Sequence, residues 1–278
     1  MLYLFLAILS SALISVIMRL STHRVKRNIA MLLISYVTCL TVAGCFTGWG
    51  NLFPRGAGLA PALGMGAVHG ALYLTSFMLL QYSVKKNGVV LSATFMKLGL
   101  LVPMAVSVFL FGEHPGLWQW VGFAIALGAI LLINLGDGAG ESGFRPGLLL
   151  LLLLGGFGDV MAKIFEELGD PALAPQFLFY TFGTALLLCA LIMAAKGQRP
   201  GLPEVFFGVI IGIPNYFCSK FLLKALERVE GVIVYPTFSV GTLLVVTLVG
   251  VLLFREKLTR RQWAAMVAIL AALVLLNL

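Results

Sequence analysis

Residues 88–135 read GVVLSATFMKLGLLVPMAVSVFLFGEHPGLWQWVGFAIALGAILLINL, and residues 231–278 read GVIVYPTFSVGTLLVVTLVGVLLFREKLTRRQWAAMVAILAALVLLNL. The two stretches align without a gap at a spacing of 143, and 19 of 48 positions are identical. In so Leu- and Val-rich a chain, composition alone gives about five matches. The shared residues are not only aliphatic. Thr94-Phe95 falls on Thr237-Phe238, Phe111 and Glu113 on Phe254 and Glu256, Gln119-Trp120 on Gln262-Trp263, and Asn134-Leu135 on Asn277-Leu278. The register continues upstream, where Tyr73 meets Tyr216 and Ser76 meets Ser219. A repeat this long predicts a fold made of two copies of one unit. The first copy is expected over residues 1–138 and the second over 144–278.

Hydrophobic residues make up 60% of the chain and charged residues 11%. Soluble domains carry about 45–50% and about 25% respectively. The chain is therefore read as an all-α integral membrane protein. A spanning helix needs about 20 mostly apolar residues. Ten segments qualify: 2–18, 29–49, 60–83, 88–111, 117–135, 147–167, 172–195, 204–226, 231–254 and 261–277. The first segment lacks a basic residue ahead of its apolar run, so it is not read as a cleavable signal. Cys39, Cys45, Cys189 and Cys218 all lie in apolar runs without metal-like spacing, and are read as packing thiols. No metal or cofactor is expected. No phosphate-binding loop is present, which argues against primary active transport.

The net charge of +8 sits in the connectors. In a membrane protein it reports basic cytoplasmic loops rather than a nucleic-acid partner. Connectors after odd-numbered segments carry 13 Lys and Arg, against four after even-numbered ones. The odd connectors are thus expected in the cytoplasm, with both termini on the far side of a cell (inner or plasma) membrane. Five helices per copy is an odd number, so the second copy enters the membrane inverted. Two inverted five-helix repeats are an architecture of secondary transporters, with the substrate site near the midplane between the repeats and alternating access as the mechanism.

Ten segments in two five-helix repeats, with Phe-x-Glu followed by Gln-Trp at both junctions, resemble the drug/metabolite transporter superfamily in its EamA-like ten-helix branch. The junctions read FGEHPGLWQWVGFAIALGAILLIN and FREKLTRRQWAAMVAILAALVLLN. The resemblance covers the whole chain. It implies a central cavity lined by the first, third, fourth, sixth, eighth and ninth segments. The substrate classes it implies are amino acids, sugar phosphates, nucleotide sugars, amines or lipid-linked sugars. Glu113 and Glu256 are read as helix-start caps in the tight connectors, and Trp120 and Trp263 as interfacial residues. All four count as scaffold, because both copies keep them.

Function is sought where the copies differ. An ionisable group deep in a spanning helix is costly and marks a site by default. Lys97 stands roughly 14 Å along a core about 30 Å thick. Its repeat mate is Val240, so the fold does not require a cation there. Thr94 precedes it on the same helical face. The bland alternative is a lysine paired to a buried carboxylate or to carbonyls freed near Pro103. Lys220 has Phe77 as its mate and Tyr216 one turn earlier, and snorkelling to the interface is its bland alternative. Asp159 and Lys163 stand four apart, acid before base, a spacing that favours an internal ion pair, and the bland alternative for Lys163 is a helix-end pair with Glu166 and Glu167 beyond. Gly155-Gly156 and Gly158 let another helix or a ligand approach near Asp159. Asp159 and His69 are candidates for proton coupling, although a lone histidine is more often a core residue. Tyr73 and Tyr216 occupy matching places, either across the cavity or as packing. Asn215 and Tyr235 complete the substrate-binding set.

The expected function is secondary transport of a small polar metabolite, anionic or zwitterionic, such as an amino acid or other carboxylate. Lys97 would bind the acidic group and Asp159 an amine or a proton. The alternatives are a cation or drug exporter using Asp159, and a lipid-linked sugar flippase with a lateral opening. Gly156-Phe157-Gly158-Asp159 also matches the Gly-x-Gly-Asp pattern of intramembrane aspartyl proteases. That chemistry needs two carboxylates in one site, and the other aspartates, Asp137 and Asp170, lie in connectors. The partners expected are a small molecule and the bilayer, and the sequence does not distinguish a monomer from a homodimer.

Overall fold

A computed structural model describes the chain except residues 23, 57, 88, 135–145, 198 and 255–259, and except the side chains of residues 84, 85, 87, 89–91, 93, 94, 133, 134 and 254. Most of the described residues are helical, with no strand among them. Eleven α-helices follow in order: α1 (Leu2–Ser21), α2 (Asn28–Thr47), α3 (Leu59–Asn87), α4 (Val89–Leu98), α5 (Leu101–Phe109), α6 (Leu117–Asn134), α7 (Pro146–Leu168), α8 (Ala174–Ala195), α9 (Leu202–Leu226), α10 (Gly231–Phe254) and α11 (Arg260–Leu276). Among the described residues, seven helices are long and apolar enough to cross a membrane, and Phe95–Phe109 and Leu117–Leu132 are shorter apolar stretches. Exposed apolar side chains recur at helical spacing, as Leu2, Phe5, Leu9 and Leu13 do on α1. Such a face suits lipid.

The continuous helix expected over 88–111 is interrupted. Pro103 has no N–H to offer the carbonyl of Gly99, four residues back. Val102 N donates to that carbonyl instead, at 3.0 Å, and Leu100 N reaches Lys97 O at 3.4 Å. These shorter-range bonds tighten the chain between α4 and α5. Pro214 and Pro236 lie inside helices that run on. The carbonyls facing those prolines belong to Ile210 and Val232, whereas at the break the residue is a glycine, which disfavours helix by about 1 kcal/mol relative to alanine.

The chain divides into two compact units, Met1–Leu74 with Ile164–Glu227, and Thr75–Lys163 with Arg228–Leu278. Each unit therefore draws helices from both halves of the sequence. In the first unit, α1 and α2 pack on α9, and α2 packs on α8. Gly208 and Gly212 form a small-residue face on α9. A Cβ on Gly212 would stand 2.7 Å from the Ser35 carbonyl and 2.5 Å from Thr38 Cβ on α2. Gly66 and Gly70 make the same kind of face on α3 against α8, where a Cβ on Gly70 would strike the carbonyl of Thr181. Close backbone approach of this kind is how membrane helices gain contact without a hydrophobic drive. The connector ahead of α2 is tied to the start of α9 by Glu204, whose carboxylate accepts Lys26 N at 3.2 Å and Arg27 N at 3.3 Å. Arg27 in turn donates to the Arg199 carbonyl at 2.7 Å.

In the second unit α6 lies along α11, and α10 contacts α5, α6 and α11. Gly122 on α6 admits the α11 backbone, since a Cβ there would be 3.0 Å from Leu276 N. The core includes Leu100, Met104, Ile130, Val232, Ile269 and Leu276, together with Val240, the repeat mate of Lys97. Cys39 and Cys189 are buried as expected of packing thiols, but Cys45 is exposed, next to the exposed Phe46 near the end of α2.

The glycine faces make a direct prediction. Gly70→Ala and Gly212→Ala should destabilise the protein by roughly 1–3 kcal/mol, the usual cost of overpacking. Gly64→Ala and Gly128→Ala, where a Cβ meets open space, should not. Thermal unfolding in detergent separates the two pairs.

Candidate substrate-binding residues

In the second unit, α4 ends at Leu98, so Lys97 stands in its last turn. A cation is favoured there by the partial negative charge of the helix end. The helix break thus supplies part of the compensation that a lysine at this depth requires. Asp159 on α7 supplies more, for Lys97 is the cation that acts on its carboxyl group. Both residues are half-buried. The two helices meet closely just beyond them: a Cβ on Gly156 would strike the Gly99 carbonyl and lie 2.5 Å from Val102 Cβ. Tyr235 on α10 is buried, and its hydroxyl donates to the backbone carbonyl of Asp159 at 2.9 Å. The side chain of Thr94 lies outside the described residues.

Lys163 does not form the ion pair with Asp159 that its spacing favours. Its ammonium lies 2.8 Å from Glu113 Oε1, with both side chains buried. Glu113 also accepts hydrogen bonds from Gly231 N at 2.9 Å and Val232 N at 2.8 Å. It is a helix cap, but of α10 rather than of the adjacent α6. A buried carboxylate with two backbone donors and an ammonium outcompetes a half-buried one for the same lysine. Glu256, its mate in the second copy, lies outside the described residues.

The remaining candidates belong to the first unit. Tyr73 on α3 donates to Asn215 Oδ1 on α9 at 2.8 Å. Phe182 lies between the two repeat-related tyrosines, its ring 6.4 Å from that of Tyr73 and 6.3 Å from that of Tyr216. Tyr36 packs edge-on to Tyr73. His69 is buried, stacked on Phe177 with its Nδ1 3.5 Å from the Thr181 hydroxyl. Lys220 Nζ stands 3.3 Å from the centre of the Phe46 ring and 5.8 Å from that of Tyr216. A cation over ring faces at this range is attracted by about 0.5–2 kcal/mol. The structure thus brings Lys97, Asp159 and Tyr235 together in one unit, and Tyr73, Asn215, Tyr216, His69 and Lys220 together in the other.

Sequence reasoning did not foresee the Glu113–Lys163 pair or the rings of Phe46 and Phe182 beside the named tyrosines. Glu113 carried a signal, its retention in both copies. The two phenylalanines stand among 20 in the chain and carried none.

Residues 146–278 match the EamA-like transporter family. An uncharacterised protein of Haemophilus influenzae is 24% identical over 210 residues, covering 73% of this chain and 72% of the relative. Protein RarD of Streptomyces exfoliatus is 28% identical over 225 residues, covering 77% of this chain and 67% of the relative. A crystal structure of a protein 18% identical superposes with a TM-score of 0.75, covering 99% of this chain and 94% of that one. The resemblance holds over residues 146–278, which include the second junction and are similar to the EamA-like transporter family: this is a multi-pass membrane protein with a transporter-like second half.

Proposed function

We propose that the protein is a secondary transporter of a small zwitterionic or anionic metabolite, an amino acid or other carboxylate. One observation carries this reading: Lys97 and Asp159, both half-buried, stand in one unit near enough for the lysine's charge to act on the carboxyl group. An amino acid presents the complementary pair of charges. Its carboxylate replaces Asp159 as partner to Lys97, and its ammonium replaces Lys97 as partner to Asp159. The exchange leaves no charge stranded in a medium where stranding costs several kcal/mol. Tyr235 holds the Asp159 backbone while the carboxylate changes partner. Within the other unit, Tyr73, Asn215, Tyr216 and Lys220 offer hydroxyl, amide and cationic groups of their own, and Asp159 or His69 is the group for a coupling proton.

The architecture we propose for this activity is ten crossing helices as two inverted five-helix repeats, 1–138 and 144–278, working by alternating access. The gapless 48-residue repeat and the odd number of segments in each copy support it. We also propose that both termini are non-cytoplasmic, on the 13-to-four loop asymmetry. In a Cys45→Ser background, a cysteine introduced at Arg24 should be protected from an impermeant thiol reagent on intact cells, and one added after Leu278 should react. The reverse pattern would overturn the orientation and leave the fold intact.

A thermal-shift screen of amino acids, carboxylates and organic cations on purified protein tests the substrate class, because a substrate stabilises the state that binds it. Amino acids should raise the melting temperature. Lys97→Met should fold, and should weaken that response and the matching transport by at least about tenfold, or 1.4 kcal/mol. Lys97→Arg should rescue only in part, since a planar fork replaces a point charge. Stabilisation by amines without a carboxylate, unaffected by Lys97→Met, would favour the cation exporter. Loss of folding in Lys97→Met, reversed by adding Asp159→Asn, would make the lysine a structural partner and remove the zwitterion reading's main support.

A further inference from the structure

Two enclosed hydroxyls of the first unit lack a hydrogen-bond partner among the described residues: those of Tyr36 on α2 and Tyr216 on α9. Both residues are 0% exposed, so water does not reach them. Tyr36 lies edge-on to Tyr73, which directs its own hydroxyl to Asn215, the residue before Tyr216. Cys39, about one turn beyond Tyr36, donates to the Gly212 carbonyl at 3.1 Å and stands near enough to act electrostatically on both phenols. The two hydroxyls thus share one polar neighbourhood. Rings cover it. Phe46, Phe182 and Phe217 lie 5.6, 6.3 and 5.5 Å from Tyr216, centre to centre. Gly208 and Gly212 fit α9 closely onto α2. The wall that bears the hydroxyls is therefore packed backbone to backbone, whereas its cover is made of side chains.

We propose that Tyr36 and Tyr216 are solute-binding donors held in a closed state of the first unit, and that a carboxylate oxygen of the solute is the acceptor they meet when the ring cover opens. A phenol kept from water without a bond is penalised, and a phenyl ring of the same shape lifts that penalty. The cost falls on the closed state alone, so it tilts the empty unit toward opening. A carboxylate suits two neighbouring phenols, because hydrogen bonds to an ionised oxygen are roughly twice as strong as neutral ones. Lys220, whose ammonium is 5.8 Å from the centre of the Tyr216 ring, brings positive charge to the same place. The inference rests on the reading of this unit's polar groups as solute contacts. It adds Tyr36 to them, and it gives the closed form a reason to yield when no solute is bound.

Tyr36→Phe, Tyr216→Phe and the double variant keep the rings and remove the hydroxyls. Without solute, each should melt at the wild-type temperature or higher, and the double variant highest. A lower melting temperature in any of them would show a hydroxyl with a native partner and overturn the proposal. Alkylation with N-ethylmaleimide well below melting, read by peptide mass spectrometry, then follows opening at Cys39. Cys39 should react in the wild type and several-fold more slowly in the double variant. Cys189, which donates to the Ile29 carbonyl about two turns from Tyr36, should be slowed less. An inert Cys39 in the wild type, an unchanged rate, or equal slowing at both thiols would sink the idea. The last readout sets a mixture of the standard amino acids against the same mixture as C-terminal amides. The acids should stabilise the wild type and the amides should not. The double variant should need at least about tenfold more of the acids for the same thermal shift. An equal response in the double variant removes the solute role. A wild type that the acids leave unmoved defeats the amino-acid reading, while selective slowing at Cys39 still supports the closed site.

Discussion

A hydrocarbon interior offers no hydrogen bonds, so every backbone amide and every charge in it must be satisfied by the protein or by its solute. The structure follows from how this chain meets that requirement. Helices close their own backbone bonds, and most of the described residues are helical. Where a bond is lost, as at Pro103, shorter bonds replace it and the helix divides. Where a charge is buried, it is given a partner from a distant part of the chain. Glu113 and Lys163 are fifty residues apart, and Glu113 and Gly231 are 118 apart. Glu204 holds the connector at Lys26 and Arg27 from 177 residues or more away.

The Glu113–Lys163 pair and the two residues proposed to meet the substrate differ in how fully they are enclosed. Glu113 is surrounded by donors and is buried with its lysine. That arrangement resists any competitor, because removing one partner strands the other. Lys97 and Asp159 keep part of their surface accessible. Lys97 also rests on a helix end, whose partial charge softens the loss of its partner. The enclosed pair has the character of a fastening, and partial accessibility is what the role proposed for Lys97 and Asp159 requires.

Much of this was legible in the residues. Apolar length and charged connectors are local properties, and the segments they mark lie within a few residues of the helices. The depth of Lys97 and Asp159 could be read from distance along a segment. Partners could not. The spacing of Asp159 and Lys163 favours a pair between them, and only the folded chain reveals that Glu113 competes for the lysine and wins. The break at Gly99 and Leu100 needed two facts together, a proline and a glycine four residues before it. Phe46 and Phe182 carried no mark, because one phenylalanine among many apolar residues resembles any other until its neighbours are known.

The interleaving of the two compact units bears on the order in which the chain is made. By residue 138 synthesis has delivered α1 to α6, but the first unit still lacks α8 and α9, and the second lacks α10 and α11. The glycine face of α3 awaits α8, and the α6 glycine awaits α11. Half the chain therefore resides in the bilayer with its closest contacts uncovered until the other half arrives. Carrying both halves on one polypeptide makes their meeting an encounter within a molecule, and so removes its dependence on concentration.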